Sequence, residues 1–453
     1  MSLVVRAGVL VTGTGVQLES GWLRSRHGEI VEIGTGPAPE AGETLDLPNC
    51  VMVAGLVNTH DHMYQWATRG YAYNAGLFAW LKELYPVWAK IDAEVVHTAA
   101  RAAIGRLLLA GCTMTTDHHY VFPAGRAGVF EALVAAGEEL GIRFHPCRGS
   151  MDLGESQGGL PPDSVVEGID AILAETERVV AKYHDPAPGS MLRVAVAPCS
   201  PFSVTPRLMT ESAALARRLG VHLHTHLAET VDEERYCVEK FGRRPLELLE
   251  EWGWLGGDVW LAHGVHFSAA EIAELGRTHT GIAHCPSSNM RLGAGACPST
   301  ELLAAGARVG LGVDGAASNE DYDLLAEVHQ ALLLARLRAS MLGVPDPAAA
   351  LSPRGAFALA NQGGARVLGR DDVGTIEVGK RADLALYRAD DLGRAGIADP
   401  LAAIALAPPA RAEAVVVDGR VVVREGRLLT ADEEELAREI KSASDRLHEV
   451  HHA

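Results

Sequence analysis

The chain has 453 residues, of which 48% are hydrophobic, and its 58 acidic residues outnumber its 40 Lys and Arg residues to give a formal net charge of −18. This composition predicts a packed globular protein and excludes global disorder. Because phosphate groups bind to concentrated basic surfaces and the sequence has none, we expect no nucleic-acid partner and no anionic membrane partner.

The lengths of the apolar runs and the spacing of the cysteines indicate in which cell compartment the protein lies. No apolar run approaches the roughly 20 residues that a membrane helix needs, and residues 1–15 lack the layout of a signal peptide. The seven cysteines are odd in number, widely spaced and without a CxxC pair, which is typical of reduced thiols. The sequence therefore predicts a cytoplasmic protein without a membrane partner.

The two ends of the chain predict one small β domain. Short strand-like runs fill the first 50 residues and return after residue 380, where Asp418-Gly419 marks a hairpin turn. We expect residues 1–54 and 370–430 to pair into this domain as a small β-sandwich. Residues 431–453 have helical spacing with mixed charge, and they predict a C-terminal helix.

Between these ends, eight short apolar runs alternate with longer helical patterns. The runs are residues 51–58, 112–117, 143–147, 193–197, 221–227, 259–263, 281–284 and 309–314. Clear helical patterns lie at residues 93–109, 128–140, 165–183, 206–219 and 324–342. This order predicts an α/β fold, a (β/α)8 TIM barrel over residues 55–369. The alternative, a doubly wound open sheet, would need a Gly-rich turn where the sequence has Asn58-Thr59-His60-Asp61-His62.

Several of the eight runs end in side chains that bind metals. Because side chains alternate along a strand, His60 and His62 point to the same side and can chelate one ion. His226 and Asp314 end two other runs, and active sites of such barrels lie at these strand ends. Three imidazoles and one carboxylate suit Zn²⁺, with Fe²⁺ or Mn²⁺ as alternatives. The fourth run ends at Ala197 without the lysine that a carbamate-bridged metal pair needs, so we expect one ion per chain.

A metal held in this way keeps a position for water and lowers the pKa of that water. Glu229, three residues after His226, is then the expected proton shuttle, with an exposed loop acid as the alternative interpretation. Asp314 is expected to accept the proton of the water as well as to bind the metal, and His263 to orient the water.

His222 and His224 share a face with His226 deeper in the barrel, where we expect packing or hydrogen bonding to the ligands.

The order His60-x-His62, His226 with Glu229, His263 and then Asp314 resembles the amidohydrolase superfamily, in its cytosine deaminase and chlorohydrolase branch. The stretch at residues 53–60 resembles the first-strand motif of that family, and residues 374–384 resemble its return to the β domain. The resemblance covers nearly the whole chain and implies a metal-dependent hydrolase that works as a homo-oligomer, a dimer or larger. Asp61 departs from the pattern, which has a further histidine there, but it points away from the predicted ligands.

Within that branch, several stretches are similar to the bacterial 8-oxoguanine deaminases, and the s-triazine hydrolases share some of them. These stretches are residues 62–65, 117–120, 148–151, 156–164 and 197–202. The resemblance implies deamination of an amino-substituted heterocycle, with 8-oxoguanine converted to urate and ammonia as the leading reaction. Isocytosine or guanine deamination and s-triazine hydrolysis are the alternatives, and a non-catalytic barrel is a further one.

Polar residues near the strand ends predict the substrate contacts. Gln65, Tyr120 and Arg148 are each able to hydrogen-bond the amide edge of a flat ring, with structural contacts as the alternative for each. Trp80 and Trp88 have the rings to stack on a substrate, although packing on a helix face is the favoured interpretation for both.

Overall fold

A computed structural model describes residues 2–407 and 411–452. Residues 408–410, within the predicted small β domain, and residue 453, at the end of the predicted terminal helix, lie outside the described residues. The strands are β1 (Ser2–Val11), β2 (Gln17–Glu19), β3 (Gly21–Arg26), β4 (Glu29–Thr35), β5 (Glu43–Ala54), β6 (Leu56–Asn58), β7 (Cys112–His119), β8 (Arg143–Ser150), β9 (Ala195–Pro198), β10 (Leu223–Leu227), β11 (Val259–His263), β12 (Gly281–His284), β13 (Arg308–Leu311), β14 (Leu384–Arg388), β15 (Ala414–Val417), β16 (Arg420–Arg424) and β17 (Arg427–Leu428).

The predicted barrel is confirmed. Strands β6 to β13 form a closed barrel, in which β13 pairs with β6 through Leu311 and Asn58. Every adjacent pair is parallel, as a barrel built from strand–helix units requires. All eight carboxyl ends therefore open at one face of the barrel.

The first predicted run, residues 51–58, divides between two sheets. Its first half lies in β5, and its second half forms the barrel strand β6. Gly55 separates them, and a β carbon at this position would overlap the side chain of Thr113. The residue at the break must therefore be a glycine, and a hydrophobic pattern alone cannot reveal where one sheet ends and the next begins.

The strands from the two chain ends form one nine-stranded sheet. Its order is β17-β16-β15-β14-β5-β1-β3-β4, with β2 paired to β1. The two ends meet where β14 pairs antiparallel with β5, for example Leu384 with Ala54. Asp418 and Gly419 both have positive φ values, 52° and 75°, as the predicted two-residue hairpin turn between β15 and β16 requires. The sheet has its own core of alternate apolar residues, separate from the barrel interior.

Helices cover the outside of the barrel. They are α1 (Leu77–Trp88), α2 (Ala93–Leu109), α3 (Val129–Leu140), α4 (Ile169–Tyr183), α5 (Pro206–Leu219), α6 (Val231–Phe241), α7 (Pro245–Glu251), α8 (Ala269–Thr278), α9 (Pro286–Arg291), α10 (Ser299–Ala305), α11 (Ala316–Asn319), α12 (Leu324–Met341), α13 (Pro353–Ala358), α14 (Gly364–Val367), α15 (Pro400–Leu406) and α16 (Glu433–His452). Among residues 2–407 and 411–452, no helix carries an apolar stretch long enough to cross a membrane.

The helix ends follow local chemistry. The helices α2 and α5 have the predicted bounds, because Asp92 and Thr205 cap their first turns by accepting from the main-chain N–H groups of Val95 and Leu208. In contrast, α4 starts at Ile169 and not at residue 165. Val166 is extended, with φ −98° and ψ 151°, so the apolar spacing before it belongs to a separate short turn.

Candidate metal centre and active site

The predicted metal ligands lie together at the carboxyl end of the barrel. His60 and His62 follow β6, His226 lies in β10, and Asp314 follows β13. All four side chains are buried. The strand-end positions, which are separated by up to 254 residues in the sequence (314 − 60), are adjacent because the barrel closes between β13 and β6.

Ring nitrogens and a carboxylate oxygen converge on one point. The Nε2 atoms of His62 and His226 lie 3.0 Å apart, and the Nε2 atoms of His60 and His62 each lie 3.4 Å from Oδ1 of Asp314. The Nε2 atom of His60 is buried and has no hydrogen-bond partner among the described residues. A buried lone pair that faces two further imidazoles and a carboxylate fits a divalent cation, which such nitrogen and oxygen ligands bind. The residues present therefore fit a metal.

Two further histidines border this point. Potential ligand atoms of His60, His118 and His226 lie within 4.8 Å of one another, as do those of His60, His263 and Asp314. The ring of His118 stacks on that of His226 at 4.7 Å, and its Nε2 lies 2.8 Å from the carbonyl oxygen of Ala197. His284, which ends β12, belongs to neither group among the described residues.

The surroundings favour the neutral forms of His62 and His226 and the charged form of Asp314. Desolvation lowers the pKa of His62 to about 3, and it lowers the pKa of His226 well below its ordinary value, with neighbouring histidines adding to the effect. Burial alone would raise the pKa of Asp314, but the neighbouring imidazole groups of His60, His263 and His62 hold it well below the usual range. Neutral imidazole and carboxylate are the forms that bind metals.

Asp314 is held by Ser288 on α9 and by Gly315, which immediately precedes α11. The hydroxyl of Ser288 donates to Oδ2 of Asp314 at 2.6 Å, and the main-chain N–H of Gly315 donates to Oδ1 at 2.7 Å. Asp314 itself has a left-handed backbone, with φ 61°. An aspartate tolerates this conformation better than most residues, but it still costs free energy, which is typical of functional sites.

His263 and Glu229 face each other beside the metal ligands. The Nε2 atom of His263 lies 3.6 Å from Oε2 of Glu229 and 4.0 Å from Oδ2 of Asp314. The Nδ1 atom of His263 lies 3.0 Å from the side-chain oxygen of Asn289. Burial, together with the charges of Asp314 and Glu233, raises the pKa of Glu229 well above its ordinary value. These surroundings favour the protonated form of the Glu229 carboxyl group.

The sequence analysis missed Glu233, which orders the loop that carries Glu229. The two carboxylate oxygens of Glu233 accept the main-chain N–H groups of Ala228 and Glu229, each at 2.9 Å. Ala228 needs this support because it has a left-handed backbone, with φ 52°. The signal was present in the sequence, since Thr230 caps α6 and Glu233 follows three residues later, the spacing of a capping box.

A small cavity of about 30 Å³ opens beside these residues. Its polar lining includes His62, Gln65, Glu229 and His263, and its apolar lining includes Trp80, Tyr85 and Phe202. A larger groove of about 440 Å³ lies between α2 and α16, but it contains none of the predicted site residues. The chemistry of the side chains thus points to the smaller cavity.

The structure brings two of the three predicted substrate contacts into this cavity. Gln65 and Tyr120 line it, and Oε1 of Gln65 is buried without a hydrogen-bond partner among the described residues. Arg148 does not line it. The guanidinium of Arg148 binds the carboxylate of Glu167 at 2.7 and 2.9 Å and lies 3.7 Å from the ring centre of Phe122.

Comparison with known proteins agrees with this geometry. An 8-oxoguanine deaminase from Pseudomonas aeruginosa is 48% identical over 422 residues, which cover 92% of each chain. A hydroxydechloroatrazine ethylaminohydrolase from a Pseudomonas species is 39% identical and covers 95% of this chain and 92% of its own. The crystal structure of the atrazine chlorohydrolase TrzN from Arthrobacter aurescens, complexed with zinc, superposes with a TM-score of 0.91 at 32% identity and covers 98% of this chain and all of its own. The model of the amidohydrolase family matches residues 51–422, and the chain belongs to that family.

Proposed function

We propose that the protein is a hydrolytic deaminase of an amino-substituted heterocycle, and that it converts 8-oxoguanine and water to urate and ammonia. The observation that carries this proposal is the buried carboxyl group of Glu229, which faces His263 and lines one small cavity with the predicted metal ligands His62, His226 and Asp314. The name of the Pseudomonas aeruginosa relative supports the choice of substrate.

In this proposal His60, His62, His226 and Asp314 hold one divalent cation per chain, with zinc as the metal. The zinc in the related chlorohydrolase structure and the nitrogen-rich ligand set support zinc. A cation bound there supplies a Lewis acid that lowers the pKa of water. The strand β9 ends at Pro198 and brings no lysine to the site, which supports a single ion.

The side chains of the protein perform the proton transfers. Glu229 holds a proton at its buried carboxyl group and delivers it to a ring nitrogen of the substrate, next to the carbon that bears the amino group. Asp314 accepts a proton from the attacking water, and His263 orients that water by a hydrogen bond. Asp314 passes its proton to the amino nitrogen, the bond from the ring carbon to that nitrogen breaks, and ammonia leaves. The hydroxyl group left on the ring carbon returns its proton to Glu229 and becomes the carbonyl group of the product.

In this proposal, aromatic side chains of the cavity and the side-chain amide of Gln65 orient the substrate ring. The side chains of Trp80 and Phe202 enclose the substrate on its apolar faces, and Gln65 bonds its amide edge. Tyr120 contacts the ring of His62 at 5.0 Å between centres and so connects the substrate wall to the metal ligands. A substrate contact by Arg148, the domain boundaries, the cytoplasmic location and a homo-oligomeric state stay predictions.

The experiment that tests the function is ammonia release from zinc-loaded protein. The substrates are 8-oxoguanine, isocytosine, guanine and an amino-s-triazine under identical conditions. We expect fast release from 8-oxoguanine and at most slow release from the other three. Release from isocytosine or the triazine alone would contradict the proposed substrate and retain the deaminase, whereas no release from any of them would contradict the deaminase.

Replacement of Gln65 by alanine is expected to raise KM for the heterocycle about fivefold and to change kcat less. The reason is that a buried amide oxygen without a protein partner is free to bond the substrate, and one such hydrogen bond contributes about 1 kcal/mol. Steady-state kinetics measure the effect. Gln330→Ala on α12 is the control, because Gln330 does not line the cavity. An unchanged KM in Gln65→Ala would remove Gln65 from the substrate contacts.

A further inference from the structure

A fourth histidine, His224, lies directly behind the predicted metal ligand His60. It precedes His226 by two residues in β10, and its side chain is fully buried one layer deeper in the barrel. Its Nε2 atom lies 2.8 Å from Nδ1 of His60, and its Nδ1 atom lies 2.9 Å from the carbonyl oxygen of Trp260. His224 thus bridges a metal ligand and the main chain of the neighbouring strand β11.

The three predicted histidine ligands are oriented in two different ways. The Nδ1 atom of His62 lies 2.7 Å from the carbonyl oxygen of His118, and that of His226 lies 2.6 Å from the carbonyl oxygen of Cys199. A carbonyl oxygen only accepts, so each of these nitrogens carries the proton and leaves Nε2 free. The Nδ1 atom of His60 faces a side chain, which alone could either donate or accept.

Trp260 removes this ambiguity. Its carbonyl oxygen can only accept, so the proton of neutral His224 lies on Nδ1, and Nε2 of His224 is left as an acceptor. The proton of His60 must then lie on Nδ1, which donates to that acceptor. The Nε2 atom of His60 keeps a free lone pair 3.4 Å from Oδ1 of Asp314. We propose that His224 is a positioning residue that sets the tautomer and the ring orientation of His60 for metal binding.

The packing of His224 supports this role. Its ring stacks on the indole of Trp260, with centres 4.3 Å apart and planes 11° apart. The indole in turn donates from Nε1 to the carbonyl oxygen of Thr59 at 3.0 Å, next to His60 in the chain. The ring of His224 is therefore fixed in its plane, and a rigid acceptor holds a metal ligand better than a mobile one.

This inference rests on the proposed metal site, so its test separates the two. His224→Leu removes the acceptor, His224→Gln keeps one near the position of Nε2, and His222→Leu is the matched control. His222 lies two residues earlier in the chain, one layer deeper, and its Nδ1 has no hydrogen-bond partner among the described residues. The zinc dissociation constant of each purified apo protein is measured by competition with a chelator, and circular dichroism monitors the fold.

We expect His224→Leu to bind zinc about 10- to 100-fold more weakly than the unmodified protein. His224→Gln should recover most of this loss, and His222→Leu should stay within about threefold. If His224→Gln bound zinc as weakly as His224→Leu, a general packing defect would explain the loss, and the inference would be overturned. Zinc binding by His224→Leu as tight as in the unmodified protein would overturn the inference.

The second readout needs no metal. Nitrogen-15 NMR of the unmodified apo protein, labelled on histidine, reports which ring nitrogen of His60 carries the proton, with His60→Asn to assign the signal. We expect the proton on Nδ1 in the unmodified protein and a mixture of tautomers in His224→Leu. A proton on Nε2 of His60 in the unmodified protein would overturn the inference even if His224→Leu failed to fold. If the unmodified protein and His60→Asn bound zinc equally, the proposed metal site would fail, whatever the tautomer.

Discussion

Replacement of Glu229 by glutamine is expected to lower kcat on the order of 10³-fold, within the range that general acid–base catalysis contributes. The amide has nearly the shape of the carboxyl group, but it cannot deliver a proton to the ring nitrogen. The hydrogen bonds that order this loop run from main-chain N–H groups to Glu233, so they survive the substitution. The fold, the zinc content and the cavity should therefore stay as they are.

The measurement is kcat at saturating substrate, together with zinc content by atomic absorption. Glu239→Gln is the matched control, because Glu239 is an exposed acid on the neighbouring helix α6. It should retain full activity. If Glu229→Gln kept more than about a tenth of kcat with a full complement of zinc, Glu229 would not be the proton donor, and another acid of the cavity would have to take that role.

The barrel could be predicted because its eight strands repeat one pattern. Each strand is a short apolar run, and several runs lead into a polar residue at the same end of the barrel, so His60, His226 and Asp314 could be placed together without coordinates. The apolar run at residues 51–58 is continuous and does not itself show its division between two sheets, although the predicted domain boundary lies between residues 54 and 55. The division depends on the contact of Gly55 with Thr113, which comes from the neighbouring strand and not from the local pattern.

Some residues that support the site could be predicted from the sequence, and others could not. The position of Glu233 follows from a local spacing after Thr230, so the sequence contained the signal. The hydroxyl of Ser288 reaches Asp314 across 26 residues of chain, and the carboxylate of Glu167 binds Arg148 from a loop. Such contacts depend on how separate loops meet above the barrel, and no periodicity in the sequence encodes them.

Removal of the metal is expected to abolish turnover and to leave the fold in place. The predicted ligands are held at the ends of strands whose pairing and apolar core do not depend on an ion, so the apo protein should keep its secondary structure. The melting temperature should fall by several degrees, because a ligand that binds only the folded state at about 1,000 times its dissociation constant contributes about 4 kcal/mol.

The zinc content, the secondary structure and the turnover are measured by metal analysis, circular dichroism and ammonia release, before and after dialysis against a chelator. Dialysis against the same chelator saturated with zinc is the control. About one zinc per chain should be lost with the activity, and both should return when one equivalent is added back. Unfolding of the apo protein would mean that the ion is structural, and two tightly bound ions would contradict the single site. Full turnover by metal-free protein would exclude His60, His62, His226 and Asp314 as a catalytic metal centre, because their converging lone pairs would then serve no ion that the reaction needs.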